Sequence, residues 1–244
     1  KDVLNYTDED KFDVVLMNPP YGGNEKSDVK SHFPSDMRSS ETADLFIVLI
    51  MYRLKRNGRA AVIVPDGFLF GADNTKIAIK TKLLRDFNLH TIIRLPGSIF
   101  APYTSIATNI LFFDNTCAEG APEGYSTKET WFYRLDMPEG YKHFSKTKPM
   151  KSEHCDPIRE WWNDRKEIII ADGDEKSRCY SVEDLIATDC NFDLCKFPKE
   201  DEEILPPAEL LADYFKKRKA LDHEIDKTLA EIQRILGIKI NIEE

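Results

Sequence analysis

The 244 residues lack any apolar run long enough to cross a bilayer. The longest, Leu45 to Tyr52, falls far short of the roughly 20 residues a spanning helix needs. No signal-peptide pattern opens the chain, so no membrane association is expected and the cytoplasm is the expected compartment. Close cysteine pairs are also missing. The five cysteines, at 117, 155, 179, 190 and 195, show no two-residue spacing of a zinc knuckle or redox site, and the five histidines are equally dispersed. Neither a metal centre nor a disulfide framework is expected. Positive charge is not in excess either, with 34 Lys and Arg against 43 Asp and Glu for a net charge of −9. Neutralising a phosphate backbone takes clustered Lys and Arg, so this chain is not expected to grip nucleic acid by itself. There is no internal repeat and no low-complexity tract.

What is present is apolar material in short, patterned segments. Hydrophobic residues make up 41% and aromatics 11%, enough for one sizeable α/β core with an appendage. Phe12 to Met17 is a β-branched run closed by Asn18-Pro19-Pro20, which predicts a buried strand meeting a rigid turn. The polar stretch 22–42 predicts a long mobile loop. Helical spacing over Asp44 to Arg56 stops at Asn57-Gly58, a suitable cap. A buried strand over Arg59 to Val64 follows, then a helix over Lys76 to Phe87 and strands over His90 to Leu95 and Thr108 to Phe113. The last two strands have no helix between them and are expected to pair antiparallel. Such alternation predicts a sheet covered on both faces.

Past residue 115 the pattern loosens. A strand over Trp131 to Leu135 and a short helix over Asp156 to Arg165 flank a predicted loop at 137–155. From Glu200 to Ile238, apolar residues such as Leu221, Ile225, Leu229, Ile232 and Leu236 recur every three or four positions. That spacing predicts a long amphipathic helix or helical hairpin begun by Pro206-Pro207.

The tetrapeptide Asn18-Pro19-Pro20-Tyr21 carries the chemistry. An amino group conjugated to a ring has its lone pair delocalised and attacks a methyl donor poorly. An amide oxygen from Asn18 and a fixed carbonyl from Pro19 can accept its two N–H bonds and favour the tetrahedral, nucleophilic form. Consecutive prolines lock φ and hold the preceding residue extended, so that carbonyl stays aimed. Tyr21 offers a face for a planar target, which must first be flipped out if it sits in a duplex.

At these residues the chain resembles the amino-directed methyltransferases. The tetrapeptide is shared by adenine-N6 DNA enzymes, guanine-N2 rRNA enzymes and enzymes that methylate a protein glutamine, and does not choose among them. Downstream segments do. Asp66-Gly67-Phe68-Leu69-Phe70, the run from Arg94-Leu95-Pro96 through Phe100-Ala101 to Thr108-Asn109-Ile110-Leu111-Phe112-Phe113, and the Tyr180 to Leu185 and Asn191 to Leu194 segments resemble the modification subunit of type I restriction-modification systems. The likeness spans most of residues 1–236; Cys195-Lys196-Phe197 departs from the family's usual continuation.

The resemblance implies a Rossmann-like methyltransferase fold of α/β class, represented by the last four strands of its sheet. It assigns 1–115 to the target-side half of the methyltransferase domain, 116–199 to a connecting region and 200–244 to a helical tail. It implies S-adenosylmethionine as cofactor, with no metal. Asp2, sixteen positions before Asn18, and Val3 would line the cofactor's adenine together with Asn18, Leu45 and Phe46. Phe100 or Tyr103 would form the second aromatic wall around a flipped adenine. Lys26, Lys30 and Arg38 are candidate phosphate contacts or merely solvated. DNA would be met through a complex, with a specificity subunit docked on 206–236 and a restriction subunit also present. The family's glycine-rich cofactor loop does not occur in the 244 residues, and the chain opens on Lys1 directly in patterned sequence. A piece of a longer protein, inactive by itself, is therefore expected.

Overall fold

A computed structural model describes residues 2–170, 173–195 and 207–237. The chain divides into two compact units, Lys1–Pro198 and Lys199–Glu244.

In the first unit the strands are β1 Phe12–Met17, β2 Leu54–Pro65, β3 Asn88–Arg94, β4 Thr108–Asp114, β5 Glu129–Arg134, β6 Ile168–Ile170 and β7 Asp174–Ser181. They form one mixed sheet in the order β1-β2-β4-β3-β5-β7-β6. The helices are α1 Ser27–Lys30, α2 Thr42–Arg53, α3 Asp66–Phe70, α4 Asn74–Asp86, α5 Asp156–Asn163 and α6 Val182–Ala187. β1 and β2 run parallel, β4 is antiparallel to both β2 and β3, and β3 is parallel to β5. The expected antiparallel pair is present, with Ile93 opposite Ile110 and Arg94 opposite Asn109. Helix α2 is apolar on nearly every side, and Ile47, Val48 and Ile50 are accordingly buried in the main core with Val62, Val64 and Leu111.

Several expectations need correction. The β1 strand is not buried: Phe12, Val14 and Leu16 are 50%, 49% and 78% exposed, and Val15 turns inward. Among the described residues β1 ends the sheet order beside β2, with its outer edge unpaired, and the face that carries Val14 and Leu16 is exposed. Helix α2 stops at Arg53, because Leu54 is already extended. Asn57-Gly58 is an irregularity inside β2, with Asn57 at φ 61° and the β1–β2 register jumping between Phe12 and Val14. A Cβ on Gly58 would lie 2.9 Å from the Lys55 carbonyl oxygen and 3.0 Å from that of Asp13, so only glycine fits that approach.

The sheet also continues past the expected four strands. β5 matches the strand expected near Trp131 to Leu135 and joins the sheet beside β3. β7 and β6 carry the sheet on through residues for which no strand was expected, because Thr130 to Tyr133 pairs with Ser177 to Tyr180. The 22–42 stretch is pinned rather than loose: Asn24 bridges Glu41, and Phe33 and Met37 are buried in the core. In the second unit, Pro207–Leu236 forms one 30-residue helix, α7, rather than a hairpin. Residues 200–206 and Ile238 of the predicted tail lie outside the described residues.

Candidate functional site

The pairing just given brings the turn after β1, the end of β2 and the β3–β4 connection to one rim of the sheet. Asn18 and Pro20 are exposed there, Pro19 is buried and Tyr21 is half-buried. The Tyr21 hydroxyl donates to Asn18 Oδ1, and burial raises the Tyr21 pKa above its ordinary value. The Phe100 ring comes across from the β3–β4 connection, its centroid 6.1 Å from that of Tyr21 at an interplanar angle of 59°. Tyr103 is 91% exposed. Of the two candidate aromatics, Phe100 is therefore the one brought against Tyr21.

The N-terminus of α2 buttresses this rim. The Thr42 backbone N–H donates to the Gly23 carbonyl at 3.0 Å. A Cβ on Gly23 would lie 2.5 Å from Thr42 Oγ1, so this close approach needs glycine. Thr42 Oγ1 itself donates to Glu25 Oε1 at 3.0 Å. Just inside, Asp44 is fully buried. Ser39 Oγ donates to it at 2.6 Å, and Lys76 Nζ lies 3.1 Å away. Lys76 also meets Glu41 at 2.5 Å and Asp73 at 3.5 Å. Burial raises the Asp44 pKa against the pull of Ser39 and Lys76. Burial would lower that of Lys76, but Glu41 and Asp44 more than offset it, and the net shift is upward.

The residues assigned to the cofactor's adenine are engaged locally. Asp2 Oδ1 accepts from the Leu4 N–H at 2.9 Å and caps the turn Val3–Asn5. Val3 and Leu45 are buried in the main core, and Phe46 is half-buried. Arg38 secures its own loop, donating to the Phe33 and Ser31 carbonyls at 2.9 and 3.2 Å, and Lys30 donates to Ser40 Oγ at 3.2 Å. Lys26 is exposed.

Two polar clusters on this rim were not anticipated from sequence. One is the Asp44–Lys76 network. The other joins Arg94, Asp66, Asn109 and Asp193: Arg94 is 1% exposed, with Nη1 3.5 Å from Asp66 Oδ2 and Nη2 bonded to Asp193 Oδ1. Asn109 Nδ2 donates to Asp66 Oδ1 at 2.5 Å. The available signal was a charged or amide residue inside an apolar element (Asp44 in α2, Arg94 ending β3, Asn109 in β4), since such a group is tolerated in a core only with a partner.

Residues 2–204 match the N-6 DNA methylase family. The chain belongs to that family. Over 231 residues, 94% of the chain, it is 42% identical to the methylase subunit of the type I restriction enzyme EcoEI from Escherichia coli, of which it covers 44%. It is 31% identical to the EcoKI methylase subunit of E. coli K12, over 68% of this chain and 33% of that protein. It thus spans less than half the length of these relatives. A crystal structure of a modification subunit assigned to a type I restriction enzyme of Vibrio vulnificus superposes with a TM-score of 0.66 at 42% identity, over 75% of this chain and 36% of that one. The fold is accordingly that of the methyltransferase sheet in family members, carrying a helical tail. Among the described residues, no helix is long and apolar enough to cross a membrane, and no group of three or more His, Cys, Asp or Glu is placed to hold a metal ion.

Proposed function

We propose that this chain is the target-side part of the modification subunit of a type I restriction-modification complex, which methylates adenine N6 in DNA in the cytoplasm. The observation that carries this is the Tyr21–Phe100 pair standing beside the Asn18 amide, two aromatic faces next to a fixed hydrogen-bond acceptor. A planar base entering between the rings would gain ~1–3 kcal/mol per stacking face. It would exchange the Tyr21 hydroxyl on Asn18 Oδ1 for its own amino N–H, with the second N–H directed to the Pro19 carbonyl. Those two acceptors stabilise the positive charge that develops on nitrogen as it is alkylated. S-adenosylmethionine, when bound, supplies the methyl group.

The chain's own residues fit that donor only in part. Asn18 lies on the exposed rim, but Asp2 is engaged at Leu4 and Val3 and Leu45 are packed in the core. Hence the chain by itself is proposed to be inactive, with the uncovered β1 edge as the place where the cofactor-side part of the sheet adds. Helix α7 is proposed to dock the specificity subunit. Its Leu221, Ile225, Leu229 and Ile232 form a narrow stripe, and all are about half exposed or more. DNA recognition and the restriction activity would then lie with the partner subunits, in keeping with a net charge of −9.

The test is Asn18→Ala in the complete enzyme. Losing one preorganised acceptor lowers turnover on the order of 10²–10³-fold with S-adenosylmethionine affinity nearly unchanged, whereas Tyr21→Phe retains stacking and most activity. An Asn18 variant with near-normal turnover would refute the assignment.

A further inference from the structure

The connection between β3 and β4, residues 95–107, carries Phe100, and both of its ends are tied down. The Leu95 N–H donates to the Thr108 carbonyl at 3.0 Å, and the Asp66 N–H donates to the Ala107 carbonyl at 3.0 Å. The residue just before the connection is Arg94, and the second residue after it is Asn109, directly opposite Arg94 in the β3–β4 register. Arg94 holds Asp66 at the end of β2 with one nitrogen and Asp193 with another, and Asn109 closes the ring onto Asp66. Asp193 belongs to a segment that is itself stitched down, through the Phe192 N–H to the Leu69 carbonyl at 3.0 Å. The buried Arg94 guanidinium and the Asn109 amide, meeting at Asp66, therefore link the end of β2, the two strands that flank the Phe100 connection and the 191–195 segment.

An ion pair this deep is a poor source of stability, since well-packed apolar residues often do as well. What a rigid, planar guanidinium set between two carboxylates does supply is a fixed position of each relative to the other. We infer that Arg94, clamped between Asp66 and Asp193, is a positioning residue that sets where Phe100 stands relative to Tyr21, and so governs capture of the target base rather than the methyl-transfer step. The inference rests on the base-capture function proposed above. It goes further in assigning a separate geometric role to Arg94, Asp66 and Asp193, which that reading leaves without one.

The experiment uses the complete modification subunit assembled with its specificity subunit. Arg94→Gln and Arg94→Lys are compared with the parent, using a duplex that carries 2-aminopurine at the target adenine to report unstacking, together with steady-state methylation kinetics. A misplacement of about 1 Å in a positioning element costs as much as 10²-fold. Arg94→Gln is accordingly expected to raise KM for DNA by roughly 10- to 100-fold and to lose most of the 2-aminopurine signal, with kcat at saturating DNA changed little. Arg94→Lys, which keeps the charge but not the planar guanidinium, recovers little of either.

The inference is overturned if folded Arg94→Gln shows parental KM and fluorescence, or if kcat falls with KM unchanged. Should Arg94→Gln fail to fold, Asp193→Ala removes one arm of the clamp at a partly exposed position. The same shift in KM and fluorescence is expected of it, and parental values would overturn the inference equally. Failure of the underlying function looks different, because the parent complex would then neither unstack the target nor methylate adenine.

Discussion

Replacing Lys76 with Met tests the buttress behind the candidate site. The Lys76 and Asp44 side chains are 6% and 0% exposed, so Met in place of Lys strands a carboxylate in the core with Ser39 as its remaining donor. Glu41 and Asp73 are about half exposed and add little, as surface pairs contribute ~0–1 kcal/mol. Breaking a buried pair from one side costs about 3–5 kcal/mol. For a unit of this size each kcal/mol moves the melting temperature by roughly 2–4 °C, so a fall of roughly 6–20 °C is expected by calorimetry or circular dichroism.

The Lys76→Met deficit also depends on pH with a definite sign. Burial raises the Asp44 pKa in the folded chain above its ordinary 3.8, so the folded state takes up the proton first. Stability gained from that protonation grows as pH falls through the folded-state pKa and levels off below 3.8. Without Lys76 the pKa moves higher still, and the deficit against the parent therefore shrinks on acidification from neutral pH. The double variant Asp44→Asn with Lys76→Met, which leaves no stranded charge, should regain much of the loss. A Lys76→Met variant within about 2 °C of the parent, smaller than a 1 kcal/mol change produces, or a deficit that does not change with pH, would refute the reasoning.

Phe100→Ala should lower kcat/KM of the complete enzyme on DNA by roughly 5- to 150-fold, the equivalent of ~1–3 kcal/mol of stacking, while Tyr103→Ala changes it by less than about twofold. A larger effect at Tyr103 would reverse the assignment of the second wall. On α7, Ile225→Asp with Leu229→Asp places carboxylates at positions already 53% and 46% exposed. The melting temperature of the isolated chain should hold while co-purification with the specificity subunit is lost, and unfolding of that variant would show the stripe to be internal core.

The parts of the fold legible in the sequence were those written in contiguous residues. Phe12 to Met17 followed by two prolines announces a strand and a rigid turn, and the Asn88–Arg94 and Thr108–Asp114 strands announce their antiparallel pairing by the lack of a helix between them. Asn57-Gly58 misled because the dipeptide that caps a helix also serves a left-handed kink inside a strand, and the choice between them was made by β1 alongside. β7 was hidden by its polar sequence, Asp-Glu-Lys-Ser-Arg-Cys-Tyr-Ser, which becomes a strand through pairing with residues about 50 positions earlier. The Asn18 and Tyr21 half of the candidate site lies within one tetrapeptide and so can be proposed from sequence alone. Tyr103 and Phe100 are equivalent on paper, and they part only when the connection folds and turns one ring toward Tyr21 and the other toward water. The Arg94–Asp193 pair spans 99 residues, a distance over which no pattern in a single sequence speaks.

The uncovered edge at β1 also bears on how the chain behaves in concentrated solution. Among the described residues no strand pairs with the outer edge of β1. Such an edge with Val14 and Leu16 exposed beside it is a template for another strand, a second copy of the same edge being the most abundant one at hand. Some blunting is built in. The Arg53 guanidinium lies 4.8 Å over the Phe12 ring and 4.9 Å over that of Tyr6, and Lys55 pairs with Asp13 at 2.9 Å, placing charge at the start of the strand. Among the described residues no charged side chain is paired beside Leu16, which is 78% exposed next to Asn18. Self-association of the isolated chain would therefore begin at the end of the strand that bears Asn18 and Tyr21, and would bury these two residues between copies.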